Sequence, residues 1–217
     1  MKLEGIHHIT AITGDAPRNV DFYARVLGLR MVKKTVNQDD PTIYHLFYGD
    51  EEGHPGLDLT FFEYPGVGRG RPGAGMVHRI VWRVGSEEAL DFWERRLSDE
   101  GTAVAREDGR LRFDDPEGLS HELGVSTVDD QPLIAEHAEV PPDMALQGFD
   151  GVQAYSAEPS GVLFEIATIG PGFTADEPLE HLGEKLSLPP DFEQLRDRVE
   201  PALTPLPDIR QWRPIRT

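Results

Sequence analysis

Two adjacent histidines, His7 and His8, sit in the β-rich run Gly5-Ile6-His7-His8-Ile9-Thr10-Ala11-Ile12. Further along, Asp58 interrupts the apolar stretch Gly56-Leu57-Asp58-Leu59-Thr60, Glu122 follows Ser120-His121, and Glu165 lies among Val162, Leu163, Phe164 and Ile166. A carboxylate in such apolar company is costly to bury alone, so an arginine or a metal must accompany it, with metal the stronger reading for Glu165. The chain has no cysteine. That removes disulfide scaffolds, zinc ribbons and thiol nucleophiles together. Whatever chemistry occurs must use His, Asp, Glu, Tyr, Ser, Thr or a bound metal.

The elements that must hold these residues come in two similar sets. Gly5 to Ile12 reads as a strand, and Asp15 and Pro17 then open a helix. Val20, Tyr23 and Leu27 give that helix its apolar spacing, and Gly28 ends it. Met76 to Val84 reads as a second strand, Ser86 caps a second helix through Leu90, Trp93 and Leu97, and Gly101 closes it. Val20-Asp21-Phe22-Tyr23 and Leu90-Asp91-Phe92-Trp93 lie 70 residues apart, which marks an internal duplication. Three short strands follow each helix: Arg30 to Thr35, Tyr44 to Tyr48 and Leu57 to Phe62, then Thr102 to Ala105, Arg110 to Phe113 and Ser120 to Val125. Both halves therefore read strand-helix-strand-strand-strand. The aromatic residues Phe22, Tyr23, Phe92 and Trp93 are expected in the core. The glycine-rich stretch Val67 to Gly75 neither follows a strand nor opens a helix, so it is a connecting loop and not a dinucleotide fingerprint.

Charge narrows the partners. Lys and Arg total 21 against 39 Asp and Glu, a formal net charge of −18. A nucleic-acid backbone or an anionic membrane surface would meet mostly repulsion. No apolar run is long enough to span a bilayer, and no secretory signal is expected at Met1-Lys2-Leu3-Glu4-Gly5. The expected location is the cytoplasm.

The repeat resembles the βαβββ unit of the vicinal-oxygen-chelate superfamily of glyoxalases, bleomycin-resistance proteins and extradiol dioxygenases. Gly5-Ile6-His7-His8-Ile9-Thr10, Phe22-Tyr23, Val26-Leu27-Gly28-Leu29-Arg30, Val32-Lys33-Lys34-Thr35-Val36-Asn37 and Tyr44-His45-Leu46 resemble the hydroquinone-type ring-cleaving dioxygenases more narrowly. So do Gly161 to Thr168, Pro171-Gly172-Phe173-Thr174, Leu182-Gly183-Glu184-Lys185-Leu186 and Leu188-Pro189-Pro190 near the end of the chain. The resemblance implies an α+β fold of tandem βαβββ units whose mixed sheets curve into a cup. It implies Fe(II) as the cofactor, with Mn(II) or another divalent metal as the alternative, and a small aromatic diol and dioxygen as substrates.

Against that family the chain is short, because its members usually carry four such units. Gly148 to Val152 resembles the opening of a third unit, yet it runs almost at once into Glu158-Pro159-Ser160-Gly161. The latter parallels Asp115-Pro116-Glu117-Gly118 at a shift of 43. The expected organisation is unit one over 1–66, unit two over 76–126, a bridge over 127–157, and the last strand of a shortened fourth unit with its tail over 158–217. The unpaired edge left beside Glu165 predicts a homodimer.

Iron(II) that binds both a diol and dioxygen needs open positions, which two histidines and one carboxylate on one face leave. By resemblance, His8 is the first ligand and Glu165 the carboxylate. The family's second histidine falls in the missing stretch, as do an arginine and a tyrosine that assist. His7 is implied as the acid/base group and Thr10 as the hydroxyl that orients dioxygen, and His45 is placed near the substrate. Glu122 occupies in unit two the position that Glu165 has in unit four, which makes it a further candidate ligand or, equally, a solvent-facing strand residue. Asp58 sits where glyoxalase-like enzymes carry a carboxylate ligand.

Whether unit two offers a histidine depends on register. Aligning the helices puts His78 opposite His8; aligning the strands, Val84 on Thr13, puts Arg79 there. Because Ile80, Trp82 and Val84 suit the helix-packing side, the strand alignment is preferred. His54, His121, His137 and His181 are expected to be solvated, as is the acidic stretch from Asp129 to Glu139. The expected function is a metal-dependent ring-cleaving dioxygenase acting on a hydroquinone- or catechol-type aromatic diol, in a shortened form with weak activity. Two alternatives stay open: a glyoxalase-like metal isomerase or lyase using His8, Asp58 and Glu122, and a non-catalytic aromatic-binding module of the bleomycin-resistance kind.

Overall fold

The structure, a computed structural model, describes residues 5–70, 73, 76–154 and 172–214. Unit one runs β1 (His8–Thr13), α1 (Ala16–Val20, continuing as a π-helical turn over Asp21–Val26), β2 (Arg30–Val36), β3 (Tyr44–Gly49) and β4 (Asp58–Glu63). Unit two runs β5 (Val77–Val84), α2 (Glu87–Asp99), β6 (Val104–Glu107), β7 (Arg110–Asp114) and β8 (Ser120–Val125). The strand order β1-β4-β3-β2 recurs as β5-β8-β7-β6, with the first and last strands of each unit parallel and the rest antiparallel. A ninth strand, β9 (Phe149–Ala154), pairs antiparallel with β5 and extends the second sheet to five strands. The α+β class with mixed sheets built from βαβββ-like units is thus as read from the sequence.

The expected cup is not formed. Neither sheet is curled or closed: β1 and β2 lie at opposite margins of the first sheet, and β6 and β9 at opposite margins of the second. Closing a sheet requires its end strands to pair, and a barrel small enough to fill with side chains still takes about eight strands. In unit one, α1 packs on one face of the open sheet, with Tyr23 on Tyr48 and Phe61 at centroid distances of 5.5 and 4.7 Å. Strand and turn patterns specify which strands pair. They do not specify curvature.

Local signals set the helices. The Asp15 carboxylate accepts from the Arg18 N–H at 3.1 Å, and Ser86 Oγ accepts from the Ala89 N–H at 3.3 Å. Leu90, Trp93 and Leu97 are buried on one side of α2, as their spacing requires. The two helices differ by one residue. Cap to cap, Asp15 and Ser86 lie 71 apart, but Leu27 and Leu97 lie 70 apart, so the first helix holds one residue more. A π turn is such an insertion, and the Leu27 N–H donates to the Phe22 carbonyl at 2.9 Å, five residues back. The strands keep the shift of 71: Tyr64 N–H donates to the Thr13 carbonyl, and Ser126 N–H to the Val84 carbonyl, both at 2.8 Å. The π turn thus reconciles the two alignments, and Arg79, not His78, stands in unit two at the level of His8.

The linking segments are more structural than their composition suggests. Ala135, His137 and Val140 are buried. The Ile134 carbonyl accepts from Glu51 N–H and the Trp212 carbonyl accepts from Ala138 N–H, both at 3.0 Å. The acidic stretch is therefore a strap with an exposed start at Asp129 and Asp130, where full solvation was expected. The C-terminal tail covers the margin of the first sheet, where Ser187 N–H donates to the Lys34 carbonyl at 2.8 Å and Leu182 and Leu186 are buried. Gly183 is required there. Its φ is +76°, and a Cβ would lie 2.3 Å from the Met31 carbonyl oxygen. Gly183→Ala is expected to cost on the order of 2 kcal/mol, from left-handed strain plus a backbone collision, read as a lowered denaturant midpoint. An unchanged midpoint would show that the tail is not docked this way.

Candidate metal centre

The parallel pairing of β1 with β4 sets His8 directly opposite Asp58 and Thr10 opposite Thr60. Partners in register point to the same side, so these four side chains share the face that α1 does not cover. One ligand atom each from His7, His8 and Asp58 falls within 4.8 Å of the others. The two imidazoles approach Nδ1 to Nδ1 at 3.1 Å, with ring planes at 87°. The Gly56 N–H donates to the His7 carbonyl at 2.9 Å, fixing the entry to β1 beside the loop that leads into Asp58.

Asp58 carries the electrostatic signature of a site. It is buried, its Oδ1 has no hydrogen-bond partner, and its carboxyl is pushed up to about 7, first by burial and then by the charge of Asp50. A buried carboxylate oxygen without a partner costs free energy that a bound cation would offset. Asp50 itself is satisfied by His54, whose N–H and Nδ1 reach it at 2.7 and 2.6 Å. An imidazole nitrogen of His8 and a carboxylate oxygen of Asp58 are donors suited to a divalent transition metal, and His7 lies beside them.

Thr10 belongs to the same face. Thr60 Oγ1 donates to Thr10 Oγ1 at 3.0 Å, and His45 Nε2 lies 3.2 Å from Thr60 Oγ1. With the Thr60 proton committed to Thr10, His45 must present Nε2–H to Thr60, and the Thr10 proton is left to donate outward.

Unit two builds a different site: Ser120 stands opposite Arg79 as Asp58 stands opposite His8, and Glu122 lies one step further along the strand. Glu122 is only 2% exposed and is held by Arg112 Nε at 2.7 Å, Arg110 Nη1 at 3.2 Å and Arg79 Nη1 at 3.4 Å. Arg79 also donates to Ser120 Oγ at 3.1 Å and Gln153 Oε1 at 2.8 Å. Three guanidiniums satisfy this buried carboxylate, where unit one gathers imidazoles around Asp58. The structure does not bring Glu122 together with His8. Glu165 lies outside the described residues.

One residue expected in solvent proves central to the core. His121 is fully buried, with Trp82 Nε1 and the Tyr23 hydroxyl each 3.0 Å from its ring nitrogens. Indole can only donate, so His121 Nδ1 accepts and Nε2–H donates to Tyr23, whose own proton goes to Asp115 Oδ2 at 2.9 Å. This network joins the helix of unit one to the sheet of unit two. Strand alternation was the missed signal: Ser120 and Glu122 face one side, which sends His121 to the other. His137 is likewise buried, whereas His54 and His181 are largely exposed.

Residues 5–123 match the model of the Glyoxalase/Bleomycin resistance protein/Dioxygenase superfamily. The chain belongs to this superfamily. Within it, the chain is related to the hydroquinone-type ring-cleaving dioxygenases. It is 30% identical to Putative ring-cleaving dioxygenase MhqA of Bacillus subtilis (strain 168) over 315 residues, taking in 95% of this chain and 100% of the relative. That alignment is longer than the chain itself, so MhqA carries sequence with no counterpart here. The chlorohydroquinone/hydroquinone 1,2-dioxygenase of Sphingobium indicum is 34% identical over 158 residues, 68% of this chain and 48% of that relative. The chain thus aligns with about half the length of the Sphingobium enzyme. A crystal structure of a putative dioxygenase from Bacillus subtilis is also similar, with a TM-score of 0.83, 30% identity, and coverage of 94% of this chain and 97% of that one. Among the described residues of this superfamily member, no helix is long and apolar enough to cross a membrane.

Proposed function

We propose that this chain is a metal-dependent ring-cleaving dioxygenase of the cytoplasm, acting on a hydroquinone- or catechol-type diol. The observation that carries the reading is the His7–His8–Asp58 cluster, with its buried, unpartnered carboxylate oxygen. His8 and Asp58 would hold Fe(II), or Mn(II) in its place, and Glu165 is assigned as a further carboxylate by family resemblance. The metal would supply a Lewis-acidic, redox-active centre with positions open to the diol and dioxygen. His7, beside His8, would take the proton of a diol hydroxyl. Thr10 offers its hydroxyl proton outward, held in that orientation by Thr60. The second copy expected in a homodimer would cover an open margin such as β1, and a single-subunit mass in light scattering at micromolar concentration would contradict it.

Turnover is expected to be slow. The assisting arginine and tyrosine of the family have no counterpart in this sequence, so substrate orientation is less complete. Oxygen uptake by Fe(II)-reconstituted protein with hydroquinone or catechol should be small but absent from a metal-free control. Rapid cleavage would mean that a fuller site is assembled, and a purified protein that binds no divalent metal would refute the proposal. The nearness of Asp58 to His8 also supports a second reading, a glyoxalase-like isomerase or lyase. That activity would persist without oxygen, which separates the two.

A further inference from the structure

The face that carries His8 and Asp58 does not end at those residues. One step along, at two residues per step, Thr10 and Thr60 lie level with Phe47 on β3; a further step brings Ile12 and Phe62 level with His45. Each step is about 6.6 Å along the strands, comparable to the length of a benzenediol. The His45 ring packs between Phe47 and Phe62 at centroid distances of 4.1 and 3.9 Å. From the C-terminal segment, Phe173 meets Phe47 edge-on at 5.5 Å, and an ion pair between Lys33 and Asp176 ties that segment to β2.

Room is made for this contact. Gly53 has φ +75°, and a Cβ there would lie 2.3 Å from the Phe173 ring. The aromatic cluster does not belong to the main core, which lies on the other side of the sheet among Tyr23, Tyr48 and Phe61. Beside it Ile12, two steps along β1 from His8, is 58% exposed, an apolar side chain left in solvent.

We infer that Phe47, Phe62 and Phe173 form the wall that receives the aromatic ring of the diol, so that the chain selects planar aromatic diols over saturated ones. This rests on the proposed function, since it takes the His8–Asp58 cluster as the anchor for the diol oxygens. The ring lies over Thr10 and Thr60, against the phenyl groups, and Ile12 lines its outer side. Aromatic rings prefer offset or edge-on partners, and the tilted rings offer both.

The test loads the full chain with Zn(II), which is redox-inert, and follows binding of 4-nitrocatechol by its absorbance shift, with catechol and trans-1,2-cyclohexanediol as competitors. Catechol should displace the probe and cyclohexanediol should not. Phe62→Leu and Phe173→Leu should each weaken probe binding about three- to tenfold with zinc content unchanged. Ile12→Asp, at an exposed position where the core is not at risk, should weaken it as well. Equal affinity in all three variants, or competition by cyclohexanediol as strong as by catechol, would overturn the wall while leaving the metal site standing. Wild-type protein that holds no zinc would instead overturn the proposed function, and the wall with it.

Discussion

His8→Ala is expected to lose the bound divalent metal while the fold stays nearly intact, and His78→Ala to keep the metal. His8 stands opposite Asp58 on the face of the first sheet away from α1 and is only half-buried, so its imidazole can be removed without opening the core. Changes in groups that merely support metal ligands cost roughly 10–100-fold in affinity, and loss of a ligand should exceed that. His78 is half-buried, two residues before the fully buried Ile80, so its replacement should lower stability instead. Asp58→Asn sharpens the test. Burial holds the Asp58 carboxyl up at about 7 and leaves Oδ1 unpartnered, so an uncharged amide should keep or raise the stability of metal-free protein while abolishing tight metal binding. Metal content by mass spectrometry, read beside thermal melting, checks all three variants. Equal metal loss in the His8 and His78 variants would mean that the register of unit two is wrong.

The second large effect is on stability against pH. His121 is held neutral by burial, with its folded-state value pushed down to about 3. The unfolded chain takes up a proton near 6.5 and the folded chain does not. Stability from this group is therefore complete above about pH 6.5 and is lost as pH falls toward 3. Between pH 7 and pH 5 the loss should be about 2 kcal/mol. His137 and His45, both lowered to about 4 chiefly by burial, act in the same direction, so the wild-type slope alone does not isolate His121. His121→Phe does. It leaves the Trp82 indole without an acceptor and Tyr23 without a donor, at a cost of about 2–4 kcal/mol at pH 7. It should also flatten the slope between pH 7 and 5 by about 2 kcal/mol. Urea midpoints at the two pH values give both numbers, and an unchanged slope would show that His121 is not the buried neutral group.

The arrangement of His8, Asp58 and Thr10 was only half legible beforehand. The His-His pair and the apolar setting of Asp58 announce themselves, because an ionisable group among apolar strand residues is rarely buried without a partner. Their convergence does not, because it depends on β1 pairing with β4, some fifty residues later, in one register out of several. Glu122 shows the same limit from the other side. A carboxylate in a buried strand must find a cation, but only the folded sheet shows that three arginines supply it.

What the sequence determined by itself is local and periodic: nearly every strand, both helices with their caps, the duplication, and the unit that repeats. These follow from spacing, cap chemistry and turn residues acting over a few positions. Tertiary structure decided the rest. It flattened the expected cup into two open sheets, because curvature is a property of how strands and helices pack and not of any strand's pattern. It turned His121 and the acidic strap inward, because burial depends on which neighbours arrive to satisfy a polar group. It settled Arg79 against His78 through one extra residue in the first helix, absorbed as a π turn that no periodicity could place. Partners brought together across long sequence separations are set by the free energy of the whole packed chain, and no short window of sequence holds that information.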